Sequence, residues 1–254
     1  MATRSAFVIP FAFALTGSVC VPRVRDTDPT LKRISLPPGF HIEVYAEEVA
    51  NARAMCWGAK GTLFVGTRDE GIVHALVDKD GDGRPEWRTT IAKDLDMPVG
   101  VAFKDGDLYV SSTGSIVKLA GIESRLEDPP VPVVVNDRFP DEEHHGWKFI
   151  AFGPDGDLYV PVGAPCNICV SEDSIFATIT RMATDGSDID IVAHGVRNSV
   201  GFDWHPETGE LWFTENGRDW LGDDSPDCEL NRLGGNGQHF GYPFCHAGSV
   251  PDPE

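Results

Sequence analysis

The segment IAFGPDGDLYVPVG, residues 150–163, holds a complete hairpin signature. Phe152 enters on one strand, Pro154-Asp155-Gly156 turns the chain, and Leu158-Tyr159-Val160 leaves on the partner strand. Proline fixes one φ of such a turn and glycine tolerates a positive one. The same unit recurs as CWGAKGTLFVGT (56–67), VAFKDGDLYVSS (101–112) and FDWHPETGELWFTE (202–215). Its leucines, Leu63, Leu108, Leu158 and Leu211, stand about 45, 50 and 53 residues apart. That period belongs to propeller blades. A further strand follows in each repeat, as in Ile72–Leu76 and Ile116–Leu119. One small sheet cannot bury both of its faces, whereas radial stacking buries them all. Helical periodicity is nearly absent. The expectation is an all-β protein, a β-propeller of four-stranded antiparallel blades. A β-sandwich would not explain the repeat.

The 254 residues suffice for one domain with a substantial core, and an apolar content of 41% excludes bulk disorder. The formal net charge of -19 argues against a nucleic-acid partner and against an anionic membrane surface. It favours a neutral substrate or bound cations. Residues 1–20 read as a signal peptide: Arg4, an apolar run from Ala6 to Leu15, then small residues up to Cys20. The run is too short for a comfortable transmembrane span, and no other segment could cross a bilayer. A secreted or periplasmic location follows as the expectation. Residues 21–33 form an extended N-terminal segment, and ISLPPGFHIEVYAEEV, from Ile34, is expected to begin the first blade of a propeller domain over 34–254.

An exported chain pairs some of its cysteines. Cys166 and Cys169 form a Cys-x-x-Cys; Cys20, Cys56, Cys228 and Cys245 complete the set. A local disulfide, or a cross-link from this motif to Cys228 or Cys245, is expected. No histidine follows Cys169 and no second Cys-x-x-Cys exists, so neither haem attachment nor structural zinc is supported.

Three constellations carry chemistry. In DKDGDGRPE (78–86), Asp78, Asp80, Asp82 and Glu86 alternate ahead of and around Gly83. Alternate carboxylates on a tight loop converge on a hard cation such as calcium. Thr89 occupies the twelfth position, so the loop is no EF-hand. A solvated acidic turn held by Asx bonds is the other reading. In EEHHGWKFIAFGPDG (142–156), His144 and His145 precede a blade's first strand, and histidine is the natural base near neutral pH. In HGVRNSVGFDWHP (194–206), Arg197-Asn198 takes the same place one repeat later, bringing a guanidinium fork and an amide. A long acidic loop containing Gly217 and Arg218 follows the exit strand of that repeat.

FPDEEHHGWKFIAFGPDGDLYVPVGAPCNIC, GVRNSVGFDWHPETGELWFTENGRDWLGDD and HFGYPFCH together resemble the sorbosone and soluble glucose dehydrogenase family, six-bladed propellers that use pyrroloquinoline quinone. The resemblance covers roughly residues 34–254. It implies a sugar oxidoreductase that removes a hydroxyl or hemiacetal proton while hydride passes to the quinone. It implies His145 as base, with His144 its neighbour, and Arg197 and Asn198 facing the cofactor. It also implies a cofactor-side calcium held by main-chain carbonyls near Gly217 and Arg218, although Asn-Gly-Arg differs from the tripeptide of glucose-oxidising relatives. Val99 replaces a polar residue expected in close relatives. Members of the family continue beyond HFGYPFCH, so the chain is expected to be a fragment, incomplete relative to a six-bladed ring, with doubtful activity alone. The sugar and the electron acceptor are not specified. A non-catalytic, calcium-stabilised binding module is the alternative; a lactonase-type hydrolase lacks the repeated inward Glu, Asn and Asp ligands it would need.

Overall fold

The computed structural model describes residues 29–254. The leader and Cys20 therefore lie outside the described residues. Two units divide the chain at Val44 and Tyr45. The described part of the first is a single 3-10 turn, Leu31–Arg33, followed by extended chain. No helix among the described residues is long and apolar enough to cross a membrane.

The second unit is the propeller. Its first blade is β1 (Ala52–Trp57), β2 (Thr62–Thr67), β3 (Val73–Val77) and β4 (Trp87–Ala92), in that order. The second is β5 (Val101–Lys104), β6 (Asp107–Ser111), β7 (Ile116–Leu119) and β8 (Val133–Asn136). The third has β9 (Ala151–Phe152), β10 (Leu158–Val162), β11 (Thr178–Met182) and β12 (Asp190–His194). The fourth has β13 (Phe202–Trp204), β14 (Leu211–Glu215) and β15 (Glu229–Arg232). All consecutive strands within a blade pair antiparallel. The recurring hairpin holds one register throughout: Trp57 faces Leu63, Phe103 faces Leu108, Phe152 faces Leu158 and Trp204 faces Leu211.

Three details differ from the sequence expectation. The first blade begins at Ala52; residues 34–51 carry no strand, although His41–Tyr45 alternates like one. The fourth blade has three strands because Gly234-Gly235-Asn236-Gly237 breaks the chain after β15. The chain then returns as β16 (Gln238–His239), a parallel fifth strand beside β12 of the third blade. A short hairpin, β17 (Cys245–His246) with β18 (Val250–Pro251), ends the unit.

Alternation along the central strands explains the radial stacking. Side chains point to opposite faces at successive positions. Leu108 and Val110 therefore pack with Phe64, Val73 and Ala75 of the first blade, while Tyr109 packs with Ile150, Leu158 and Met182 of the third. One blade later, Leu158 and Val160 face back to the second blade, and Tyr159 packs with Phe202, Leu211 and Phe213 of the fourth. Each inner strand thus serves two cores. Leu108, Val110, Leu158 and Val160 are fully buried, and truncating any such leucine costs about 2–5 kcal/mol.

Antiparallel pairing also sorts the loops. The loops before each blade's first strand share one end of the propeller with those joining its second and third strands. The connection between third and fourth strands lies at the other end. Residues 137–150, 163–177, 195–201 and 216–228 therefore share a rim, while the acidic loop 78–86 projects from the opposite one.

Candidate active site

The rim is bound together by main-chain contacts. The Ala164 N–H donates to the Arg197 carbonyl at 2.8 Å, and the Asn216 N–H to the Asn198 carbonyl at 3.0 Å. His145, Arg197, Asn198 and the loop carrying Gly217 and Arg218 thus lie along one continuous belt of the rim.

His145 sits at a positive φ of 56° and lies half-buried against Gly163. Its Nδ1 is 2.9 Å from the Ala164 carbonyl oxygen. A carbonyl only accepts, so Nδ1 carries the proton and Nε2 keeps its lone pair. Burial pushes the imidazole down to about 4, with nearby Arg197 adding to the effect. The ring is neutral at physiological pH, in the tautomer a proton acceptor needs. His144 is exposed, its ring 4.1 Å from that of His145.

Arg197 is only 3% exposed, and the protein uses all five of its guanidinium N–H donors. Nε donates to the Asn167 carbonyl (2.9 Å), Nη1 to the Asn216 (3.2 Å) and Gly217 (3.0 Å) carbonyls, and Nη2 to Asn167 Oδ1 (2.8 Å) and Asp219 Oδ2 (3.2 Å). Its own N–H is capped by Glu215 Oε1 at 2.7 Å. Burial raises the Glu215 carboxyl to about 8, with Glu229 contributing. Asn198 is buried, yet its amide makes no side-chain hydrogen bond among the described residues.

Arg218, itself buried, is taken up by acidic residues of the 252–254 segment. Its Nη1 meets Asp252 Oδ2 at 2.6 Å, its Nη2 meets Glu254 at 3.0 Å, and Asp252 also accepts from His246 Nε2 at 2.8 Å. Burial would raise the Asp252 carboxyl, but the Arg218 bond, the Glu254 N–H at 2.9 Å and the His246 bond outweigh it and hold Asp252 down at about 2. The calcium that the family resemblance implies at Gly217 and Arg218 does not fit this arrangement. The Asn216 and Gly217 carbonyls aim at a guanidinium, and a cation there would meet its charge. The implied quinone fits in part. His145 and Asn198 present groups to the rim, whereas Arg197 has no donor left for a cofactor carboxylate.

Asp78, Asp80, Asp82 and Glu86 do converge: one oxygen from each lies within 4.8 Å of the others. The loop orders itself through its backbone. Gly81 and Gly83 N–H donate to Asp78 at 2.8 Å each, and the Lys79 N–H to Glu86 at 2.7 Å. The Lys79 bond lowers the Glu86 pKa. At Asp80 the Asp82 N–H lowers the pKa, but partial desolvation and the charges of Asp82 and Glu86 outweigh it and raise it. The cluster has the donor chemistry of a calcium loop, on the rim opposite His145.

The motifs read from the sequence pass over two residues that organise the rim. Lys148 is 2% exposed; its Nζ donates to the Thr113 and Gly146 carbonyls, and burial lowers it to about 8. It ties the His145 turn to the second blade. The other is Asn167, enclosed by the Cys166–Cys169 disulfide. That local pairing leaves Cys56, Cys228 and Cys245 as free thiols among the described residues.

Solved structures with this architecture include the PQQ-bound aldose sugar dehydrogenase of Streptomyces coelicolor, with a TM-score of 0.66 and 22% identity over 83% of this chain and 68% of that one. The holo PQQ domain of Coprinopsis cinerea pyranose dehydrogenase gives 0.68 and 17%, over 80% and 56%. The calcium structure of a Trichoderma reesei carbohydrate-active enzyme of family AA12 gives 0.69 and 19%, over 80% and 58%. At these identities the likeness is one of fold. An uncharacterized protein of Borreliella burgdorferi is 29% identical over 253 residues, which are 95% of this chain and 63% of that protein. The chain thus spans less than two thirds of that relative's length. Residues 26–236 match the model of a domain of unknown function, DUF7133, and the chain belongs to that family.

Proposed function

We propose that the chain provides the proton-accepting rim of a sugar-oxidising propeller that works with pyrroloquinoline quinone, and that calcium stabilises its far end at Asp78, Asp80, Asp82 and Glu86. One observation carries this reading: His145 is locked by the Ala164 carbonyl in the tautomer that leaves Nε2 bare, on the rim it shares with Arg197 and Asn198. When bound, the quinone supplies the two-electron acceptor that no side chain offers. His145 Nε2 takes the hydroxyl proton of an aldose; a placed base of this kind is worth about 10²–10⁴-fold in rate. The Ala164 carbonyl holds the ring through that transfer and favours the imidazolium that forms. Asn198 offers its amide to hydroxyl or carbonyl oxygens. The solved propellers that name a quinone and a sugar substrate support the class of reaction.

The saturation of Arg197 favours a second reading, a calcium-stabilised binding module without turnover. Reconstitution with calcium and pyrroloquinoline quinone separates the two. Quinone binding and dye reduction with aldoses, both measured on the chain and on His145→Ala, support the dehydrogenase if turnover is lost in the variant. Turnover that survives in the variant removes His145 as base. Calcium that raises the melting temperature while the quinone fails to bind supports the module.

A further inference from the structure

Asn167 stands inside the small covalent ring closed by the Cys166–Cys169 disulfide. It makes four hydrogen bonds to two distant segments. Its carbonyl accepts from Arg197 Nε (2.9 Å), its Oδ1 accepts from Arg197 Nη2 (2.8 Å) and from the Asp219 N–H (2.8 Å), and its Nδ2 donates to the Asp219 carbonyl (3.1 Å). Tyr242, 3% exposed, anchors the other side of the ring. Its Oη accepts from the Cys169 N–H at 3.1 Å and lies 3.4 Å from Cys166 Sγ. A disulfide sulfur has no proton, so the phenol is the donor in that contact. The ring is thus pinned from behind and presents Asn167 forward. Arg197 spends its remaining donors on Asn216, Gly217 and Asp219. Residues 216–219 are therefore held to the rim by two partners directly, Asn167 and Arg197, and Asn167 also orients Arg197.

We propose that Asn167 is a positioning residue for the Arg197 and 216–219 side of the site, and that the Cys166–Cys169 disulfide keeps it in register as a reducible clamp. The inference rests on the proposed function only for what the clamp serves. Without the ring, residues 166–169 regain backbone freedom, and the four bonds must then be held against that entropy. A dithiol reductant opens the clamp: it is oxidised to its own disulfide, its two electrons cleave the Cys166–Cys169 S–S bond, and its two protons leave two thiols. Both cysteines are partly exposed, and Cys169 lines an open cavity of about 210 Å³ through which a small thiol can approach.

Hydrogen exchange followed by mass spectrometry tests the clamp without reference to turnover. The peptide covering 214–222 reports the Asp219 amide; one covering 106–119 of the second blade serves as control. Reduction with dithiothreitol, and separately Asn167→Ala, should speed exchange in 214–222 by about three- to tenfold, the loss of the neutral bond from the Asp219 N–H to Asn167 Oδ1, with the control unchanged. Asn167→Asp keeps the acceptor for Arg197 and Asp219 and should retain most of the protection. Reoxidation should restore the reduced protein. Unchanged exchange in 214–222 after complete reduction, or an equal rise in the control peptide, overturns the proposal. Quinone affinity measured on the same samples should fall about tenfold on reduction. A wild-type chain that binds no quinone refutes the proposed function, and the exchange result then judges the clamp by itself.

Discussion

Gly163→Ala is a one-carbon test of how His145 is held. A Cβ built on Gly163 would lie 2.5 Å from His145 Cβ and 3.0 Å from the His145 carbonyl oxygen. Carbon atoms settle at about 3.5–4.0 Å, so the His145 backbone must retreat by roughly 1 Å. Both partners are main chain or Cβ, so no rotamer change relieves the overlap. Overpacking of this kind costs about 1–3 kcal/mol. In a unit of this size each kcal/mol lowers Tm by about 2–4 °C, which gives an expected fall of roughly 4–8 °C for the middle of that range. The same retreat draws Nδ1 away from the Ala164 carbonyl, now 2.9 Å distant. Nitrogen NMR of the His145 ring should then show the Nδ1–H tautomer losing its dominance, and the sugar oxidation proposed for this site should fall by up to about 10²-fold, as a 1 Å misplacement can cost. Melting within about 1 °C of wild type, with the tautomer preserved, would refute the packing argument.

Other outcomes follow from the charges. His145 has a folded pKa of about 4 against an ordinary 6.5, so the unfolded chain binds the extra proton between those values. Stability should fall by about 1–2 kcal/mol, after solvent screening of this half-buried ring, as pH drops through that window, and denaturant melts of His145→Gln should lack the slope. Asp252, held at about 2, contributes stability that is full above about 3.8 and is lost as pH falls through 2; Asp252→Asn should cost about 1.5–3 kcal/mol at neutral pH in urea melts, by taking the charge out of the Arg218 bond while Glu254 still pairs with Nη2. Calcium should raise the melting temperature of the chain, and Asp80→Asn should weaken that response at least about tenfold in calorimetric titration; an unchanged response would make the loop a solvated acidic turn.

The blades were legible because their signal is local. An aromatic residue, a glycine turn and a leucine specify a hairpin within fourteen residues, as in 150–163, and each of the four recurrences pairs as its sequence implies. The acidic loop was legible for the same reason, its carboxylates being neighbours along the chain. What the sequence conceals is non-local competition. His41–Tyr45 alternates as a strand does, but pairing needs a neighbouring strand with free hydrogen-bonding groups, and residues 34–51 carry no strand. Arg197 reads as a free guanidinium because nothing nearby in sequence shows that Asn167, 30 residues earlier, and the 216–219 turn consume it. Nothing near Lys148 in sequence signals its burial, since its Thr113 partner meets it only when the His145 turn packs on the second blade.

The parallel return of β16 ties the fourth blade to the third. Residues 195–237, which include β13, β14 and β15, lie in the chain between two strands of their neighbour, β12 and β16. The fourth blade is thus bracketed in the chain by strands of the third, with β16 held at Ala193 and His194. During synthesis the third blade is likewise left open along one edge until the fourth has emerged, so two units reach completion as one. The chain behaves between these blades as a buckled strap, with two strand residues, Gln238 and His239, as the tongue.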